Sequence, residues 1–166
     1  MEIWDGYYRD GTRSETDLVR GEEIPEGLYH IVCEILVTHQ DGEILLMQRD
    51  FRKPNYGGME ESSAGGSALK GEDPLHCAVR ELREETGICC EDLQLIGTST
   101  GEHSLYYNYL CITDTEKNSI TLQEGETIAY RWISEEEFIR FIHSDRMIPS
   151  QKEHYTAYFR KKGYLI

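Results

Sequence analysis

Short apolar runs separated by polar turns recur along the chain, and their spacing predicts a mixed α/β protein. The segment 29–40, YHIVCEILVTHQ, is rich in Ile, Val and Leu, which is typical of a strand. Asp41 and Gly42 form a typical hairpin turn, so residues 43–48 are predicted to return as the next strand. By the same criteria, further strands are predicted at 62–66, 93–100, 105–112 and 127–133.

A central helix is predicted between a typical N-cap and a typical stop signal. Asp73 can accept hydrogen bonds from the free amides of a first turn, and Pro74 is tolerated at the first helical position. Gly87 favours the left-handed conformation that ends a helix. Five positions recur at helical spacing and are predicted to face a core: Leu75, Ala78, Val79, Leu82 and Thr86.

Two more helices are predicted near the C-terminus. Ser134 begins the first of them, SEEEFIRFIH, and Glu137 completes a capping box with it. Ser150 is predicted to cap the last helix, QKEHYTAYFRKK, which Gly163 ends. Mixed strands combined with one central helix and two C-terminal helices predict an α/β sandwich.

Length, charge and cysteine usage narrow the classes of function. The length of 166 residues predicts one domain spanning residues 1–166. The formal charge of −14 repels polyanions, so stable nucleic-acid binding is not expected. No apolar run is long enough to span a membrane, and the N-terminus lacks the pattern of a signal peptide. Five cysteines without metal-ligand spacing indicate reduced thiols and a cytoplasmic protein.

The stretch from Gly66 to Ile88, GSALKGEDPLHCAVRELREETGI, concentrates the candidate chemistry of the chain. Glu81, Glu84 and Glu85 are spaced i, i+3 and i+4, so their carboxylates crowd one face of the predicted helix. Like charges at this spacing destabilise a helix unless a cation joins them, and clustered oxygen ligands suit Mg²⁺ or Mn²⁺. Arg80 lies four residues before Glu84 and can hold one of the carboxylates in place.

Written as a pattern, this stretch is G-x5-E-x7-R-E-L-x-E-E-x-G-I, and it resembles the Nudix box at every fixed position. The chain therefore resembles Nudix hydrolases, which cleave nucleoside diphosphates linked to another moiety. The N-terminal segment, with its RGEEIPEGLYH run, is similar to the opening of a subgroup related to isopentenyl-diphosphate isomerases. The resemblance implies a Nudix-type α/β/α sandwich with a mixed sheet, and a metal-dependent hydrolysis of a diphosphate linkage.

The resemblance also implies roles for individual residues. Glu84 would be either a metal ligand or the residue that orients water, and Glu72 would buttress Arg80 within the catalytic machinery. The implied ligands of Mg²⁺ or Mn²⁺ are the Gly66 carbonyl, Glu81, Glu84 and Glu85.

Many members of this family carry another carboxylate far from the box, several residues before a Trp. Trp132 is preceded by Glu124 and Glu126, and Glu126 has the better spacing. Glu126 is therefore the candidate for a distal ligand or general base, with Glu124 as the competing candidate.

Three cations before the box are candidates for contacts with substrate phosphates. Arg49 follows a predicted strand and would point into the cleft, while Arg52 and Lys53 lie in the loop that follows. The substrate is predicted to be a small phosphorylated metabolite, although no subfamily marker in the sequence identifies it. Hydrolases of this family are often dimers, so the resemblance allows a homodimer, for which the sequence shows no interface.

Two other classes of function remain open from the sequence. An isomerase is the first, but the Cys motif of isopentenyl-diphosphate isomerases, which resembles T-C-C-S-H-P, has no counterpart here. A non-catalytic sensor of a nucleotide metabolite is the second, although the predicted single domain leaves no separate output domain. Turnover that depends on metal would separate the hydrolase from the sensor, and phosphate release would separate it from the isomerase.

Overall fold

The computed structural model describes all 166 residues of the chain, which form nine strands and three helices. In chain order the elements are β1 (Ile3–Tyr7), β2 (Arg13–Val19), β3 (His30–His39), β4 (Ile44–Arg49), β5 (Glu60–Ser62), β6 (Ala64–Ser67), α1 (Pro74–Thr86), β7 (Gln94–Thr100), β8 (Ser104–Thr113), β9 (Thr127–Ile133), α2 (Glu135–Ile142) and α3 (Pro149–Lys161). None of the three helices is both long and apolar enough to cross a membrane.

Seven of the strands form one mixed sheet. Its order is β5-β4-β3-β8-β7, and in addition β6 pairs with β3 and β9 pairs with β4. β3 and β8 are parallel, and the other neighbours are antiparallel. The long strand β3 therefore lies at the centre of the sheet, and β7 forms one edge.

Helices cover both faces of this sheet and create two hydrophobic cores. Cys77, Ala78 and Leu82 of α1 pack against the β3 residues on one face. On the other face, residues of α2 and α3 such as Phe138 and Phe159 pack against residues of β3 and β4. Alternate residues of β3 enter the two cores, because successive side chains of a strand point to opposite faces. The predicted α/β/α sandwich with a mixed sheet is confirmed.

The first two strands form a separate hairpin that lies beside the main sheet. Tyr7 and Tyr29 exchange backbone hydrogen bonds of 2.8 and 2.9 Å. The Gly71 amide donates to an Asp5 carboxylate oxygen at 2.7 Å, which joins the hairpin to the loop before α1. The second strand, Arg13–Val19, was not predicted, because only two of its seven residues are buried and its pattern is mostly polar.

The predicted strand 62–66 consists of two strands, β5 and β6, that pair with different neighbours. Ser63 separates them, and its buried hydroxyl accepts from the Val37 amide at 2.8 Å and donates to the Leu45 carbonyl at 2.9 Å. The Ser63 side chain thereby supplies hydrogen bonds between β3 and β4 where the backbone of the segment changes partner.

Two local predictions on the helices were wrong. Ser150 does not cap α3: the helix begins at Pro149 after Ile148, and no side chain caps it. Pro149 fixes its own φ at a helical value, so the helix starts two residues earlier than the capping pattern predicts. Leu75 does not face the core but is 40% exposed in the first turn of α1. By contrast, the Asp73 cap, the Gly87 stop and the Ser134–Glu137 capping box are present.

Candidate active site

A polar cleft of about 480 Å³ lies between α1, β6 and the N-terminal hairpin. Its lining contains Gly65 and Gly66 of β6 and side chains from segments spread between Glu2 and Glu126. Only two of its fifteen lining residues are hydrophobic, Trp4 and Leu69. Four of the carboxylates in its lining belong to residues that were predicted from the sequence to form the site: Glu81, Glu84, Glu85 and Glu126.

Glu85 is the most deeply placed of these carboxylates, with 7% of the residue exposed. One of its oxygens accepts a hydrogen bond of 2.9 Å from the Gly65 amide. Burial raises the pKa of the Glu85 carboxyl well above its usual value, and the nearby Glu61 and Glu81 raise it further. Burial and neighbouring carboxylates both disfavour the ionised form of Glu85, and a bound cation would stabilise that form.

Glu81 lies against the backbone of β6 at Gly66. A Cβ at Gly66 would displace the Glu81 carboxylate from its present position. Burial raises the pKa of Glu81 to about 7, while the adjacent Arg80 opposes the shift. The resemblance placed both residues among the metal ligands, and the fold brings them into contact.

Arg80 connects the carboxylates of α1 to the loop before the helix. It donates to the two carboxylate oxygens of Glu72 at 2.8 and 2.9 Å, which is a bidentate pair. It also donates to Glu81 at 2.7 Å, to Glu84 at 3.2 Å and to the Ser67 carbonyl at 3.2 Å. These pairs raise the pKa of the Arg80 guanidinium above its usual value. The positive charge of Arg80 therefore offsets the repulsion among the glutamates of this acidic face.

The donor set of the cleft fits a hard divalent cation, although its side chains do not yet surround one point. Carboxylates and a backbone carbonyl are oxygen ligands, which Mg²⁺ and Mn²⁺ prefer. No group of three or more His, Cys, Asp or Glu side chains converges as a cage. The reason is visible in the contacts: Arg80 holds Glu81 and Glu84, whereas Glu85 faces the Gly65 amide. Arg80 binds only one oxygen of Glu81 and one oxygen of Glu84, which leaves the second oxygen of each carboxylate for a cation.

The two candidates for the distal carboxylate occupy different positions. Glu126 lines the cleft and forms an ion pair with Lys53, which lines it too. Glu124 does not line the cleft. The negative charge of Glu126 is close enough to raise the pKa of Glu85.

The three candidate phosphate contacts are also separated by the fold. Arg49 lines the cleft, where Glu61 binds it through both oxygens at 3.0 and 3.1 Å. Arg52 lies outside the cleft with its side chain 74% exposed. Asp50 holds Arg52 through hydrogen bonds of 2.6 to 3.1 Å, which turns it away from the site.

Several residues in or beside the cleft were not predicted from the sequence. Glu61 pairs with Arg49 just outside the cleft lining, its side chain is 14% exposed, and desolvation raises its pKa. Glu2, Trp4 and Arg20 come from the N-terminal hairpin. Glu2 accepts from the Trp4 indole at 2.8 Å and from Arg20 at 3.0 Å. No local spacing could identify these residues, because only tertiary contacts bring the hairpin to the cleft.

The raised pKa of Glu81 predicts a measurable dependence of stability on pH in the metal-free protein. Between pH 4.5 and about 7 the Glu81 carboxyl is mostly ionised in the unfolded chain but mostly protonated in the folded chain. The free energy of unfolding should therefore fall as pH rises through this window, by about 3 kcal/mol in total. Urea unfolding in EDTA at pH 4.5 and pH 8 would measure it. Glu81→Gln should lack this part of the dependence; the same pH dependence in both proteins would contradict the prediction.

Comparison with known proteins places this geometry in a family. A family model described as "NUDIX domain" matches residues 28–158. The chain is 31% identical over 155 residues to the uncharacterized Nudix hydrolase lmo0368 of Listeria monocytogenes serovar 1/2a, covering 90% of this chain and 89% of the relative.

Solved structures share the fold. DR0079 from Deinococcus radiodurans has a TM-score of 0.73 at 16% identity, over 87% of this chain and 91% of that one. A bifunctional NMN adenylyltransferase/ADP ribose pyrophosphatase from Francisella tularensis, complexed with AMP and a manganese ion, has a TM-score of 0.65 at 19% identity. That match covers 80% of this chain and 42% of the bifunctional protein.

Proposed function

Since the chain belongs to the Nudix family and is a pyrophosphohydrolase of that family, we propose that it hydrolyses a small phosphorylated metabolite with the help of Mg²⁺ or Mn²⁺. The bond cleaved is a diphosphate linkage, in a nucleoside diphosphate derivative or a related compound. The observation that carries the proposal is the carboxylate face of α1, which lines the same cleft as Lys53 and Arg49. Five free cysteines support a cytoplasmic location for the reaction.

The residues that would hold the cation are those around β6 and α1. Glu81 and Glu85 would bind it from the buried part of the helix, with Glu84 from the exposed part and the Gly66 carbonyl from the strand. When bound, such a cation would neutralise phosphate oxygens and lower the pKa of the attacking water. Arg80 and Glu72 would hold the carboxylates in position before and after cation binding.

The remaining cleft residues have roles that follow from their charge and position. Glu126 is suited to accept a proton from the attacking water, because it lines the cleft and is not part of α1. Lys53 would orient Glu126 and contact a phosphate oxygen, since it already pairs with a carboxylate there. Arg49 would contact the phosphate from the same side. Arg52 would not contact the phosphate, because Asp50 holds it outside the cleft.

The lining also indicates the kind of substrate. Trp4 is the only aromatic residue of the cleft, and its ring is stacked on His30 at 4.2 Å. The cleft therefore offers little aromatic surface on which a base could stack. Arg20, with its side chain 59% exposed, is the most exposed cation in the lining and would contact the part of the substrate beyond the diphosphate. A polar, anionic second half of the substrate fits this arrangement.

A substrate panel tests the proposed function. It would contain nucleoside triphosphates, dinucleoside polyphosphates, nucleotide sugars and isopentenyl diphosphate, each with Mg²⁺, with Mn²⁺ and with EDTA. Cation-dependent release of a phosphorylated product from one class is expected, and titration calorimetry should show Mn²⁺ binding. Isomerisation of isopentenyl diphosphate, or tight binding of one compound without turnover, would overturn the proposed reaction in favour of an isomerase or a sensor.

The assignment of the general base predicts a contrast between two neighbouring glutamates. Glu126→Gln should lower kcat by about 10²-fold or more, because the group that accepts the proton is lost. Glu124→Gln is the matched control, since it removes the same charge from the same loop outside the cleft. Steady-state kinetics of both variants would measure the contrast, and an equal or larger loss in Glu124→Gln would reverse the assignment.

A further inference from the structure

A second cleft, of about 430 Å³, lies between the edge strand β7 and helix α3. It is on the face of the sheet that α2 and α3 cover, opposite the face on which α1 carries its glutamates. Its lining includes Ser99, Asn108 and His154, together with apolar surface from Leu95, Ala157 and Tyr158. The hydrolase mechanism uses none of these residues.

Three residues from three elements distant in sequence form a hydrogen-bonded relay that leads from this cleft into the protein. The Ser99 hydroxyl is 2.7 Å from Nε2 of His154, and Nδ1 of His154 is 2.7 Å from the Glu34 carboxylate. Because a carboxylate accepts, Nδ1 is the nitrogen that donates to Glu34, which leaves Nε2 as the nitrogen that can accept a proton from Ser99. The His154 and Glu34 side chains are only 5% and 8% exposed, whereas Ser99 lines the open cleft. A nucleophile, a base and a group that orients the base are thus in contact in the order that serine activation requires.

Asn108 adds a second, independent feature. The residue is 4% exposed, and its Oδ1 atom is buried without any hydrogen-bond partner. Buried polar atoms are normally paired, so an unpaired amide at the floor of a cleft needs an explanation. With Oδ1 turned inwards, the amide nitrogen is free to donate to an oxygen atom that enters the cleft.

A glycine opens the space between these groups. Gly97 is directly opposite Asn108 in the β7–β8 register, and Ser99 is opposite Tyr106, so Ser99 and Asn108 are diagonal neighbours on one face. A Cβ at Gly97 would meet nothing within 4 Å. The missing side chain leaves room for a small group between the Ser99 hydroxyl and the Asn108 amide.

We propose that Ser99, His154 and Asn108 form a second active centre, which hydrolyses small uncharged carboxylic esters with short acyl chains. Ser99 Oγ bonds to the ester carbonyl carbon while its proton passes to Nε2 of His154. The Asn108 amide donates to the carbonyl oxygen as negative charge develops there. The C–O bond to the alcohol then breaks, and the alcohol leaves with the proton from His154. Water hydrolyses the acyl-serine by the same steps and restores Ser99. Glu34 is a positioning residue, which keeps the proton on Nδ1.

The test uses the full chain with a fluorophosphonate probe and with p-nitrophenyl acetate and butyrate. One label per chain is expected, at Ser99 by peptide mass spectrometry, together with turnover of the esters. Ser99→Ala should abolish both, and His154→Gln should slow labelling by about 10²-fold. Thr100→Ala, which removes a hydroxyl from the same strand, is the matched control and should label like the wild type.

Two further variants separate the proposal from a merely structural role of the relay. Gly97→Val should block labelling by filling the space, while diphosphate hydrolysis on the other face reports an intact fold. Glu34→Asp, which retains a carboxylate, should label faster than Glu34→Gln. Absence of labelling and ester turnover in the wild type would overturn the proposal. The hydrogen bonds of the relay would then serve only to attach α3 to the sheet. Labelling that persists in Ser99→Ala would overturn it as well.

Discussion

Glu85→Gln should reduce diphosphate hydrolysis by about 10³-fold, the largest effect on activity expected of any single substitution in this chain. Glutamine keeps the shape of the side chain and can still accept from the Gly65 amide, so the change removes mainly the negative charge. That charge is buried beside Glu61 and Glu81, where only a cation would balance it. Steady-state kinetics with saturating Mg²⁺ would measure the loss.

The stability of the same variant distinguishes lost chemistry from lost folding. Because burial raises the pKa of Glu85, its ionised form destabilises the metal-free protein at neutral pH. Glu85→Gln should therefore unfold at the same temperature as the wild type in EDTA, or at a higher one. Glu136→Gln, which removes an exposed glutamate from α2, is the control and should keep full activity. Activity within threefold of the wild type would remove Glu85 from the site.

Arg80→Met should lower the free energy of unfolding by about 3 kcal/mol, because it leaves partly buried carboxylates without their cation. Glu72 loses a bidentate partner and Glu81 loses a hydrogen bond of 2.7 Å. Both glutamates have side chains no more than 15% exposed, so water cannot replace Arg80 fully. Urea unfolding of the two proteins at pH 7 would measure the difference.

A second substitution tests whether the loss comes from the unpaired carboxylate. Glu72→Gln combined with Arg80→Met should recover part of the lost stability, since the double variant no longer buries the Glu72 charge. Diphosphate hydrolysis should be low in both Arg80→Met and the double variant, because Glu81 and Glu84 lack the residue that holds them. Additive destabilisation by the two substitutions would show that Arg80 contributes mainly through packing.

Features that depend on neighbouring positions could be read from the sequence. The start of α1 at Asp73, its end at Gly87 and the capping box of α2 follow from the chemistry of a few adjacent residues. The shared face of Glu81, Glu84 and Glu85 follows from helical periodicity alone. Where two local signals competed, as at Pro149 and Ser150, local reasoning chose the wrong start.

The balance of charge in the cleft, in contrast, was decided by contacts between segments far apart in the chain. Glu126 pairs with Lys53 across 73 positions. The hairpin that carries Trp4 is fixed beside the cleft by its hydrogen bonds to residues 29, 70 and 71. The relay of Ser99, His154 and Glu34 likewise joins β7, α3 and β3.

Helical spacing acts within a few residues, so the sequence is sufficient to predict which groups α1 presents together. The packing of distant segments is what buries Glu85 and leaves Glu84 exposed, and it places Arg49 in the cleft lining but not Arg52. Burial and pairing depend on what the rest of the chain packs against each side chain, and no local pattern contains that information.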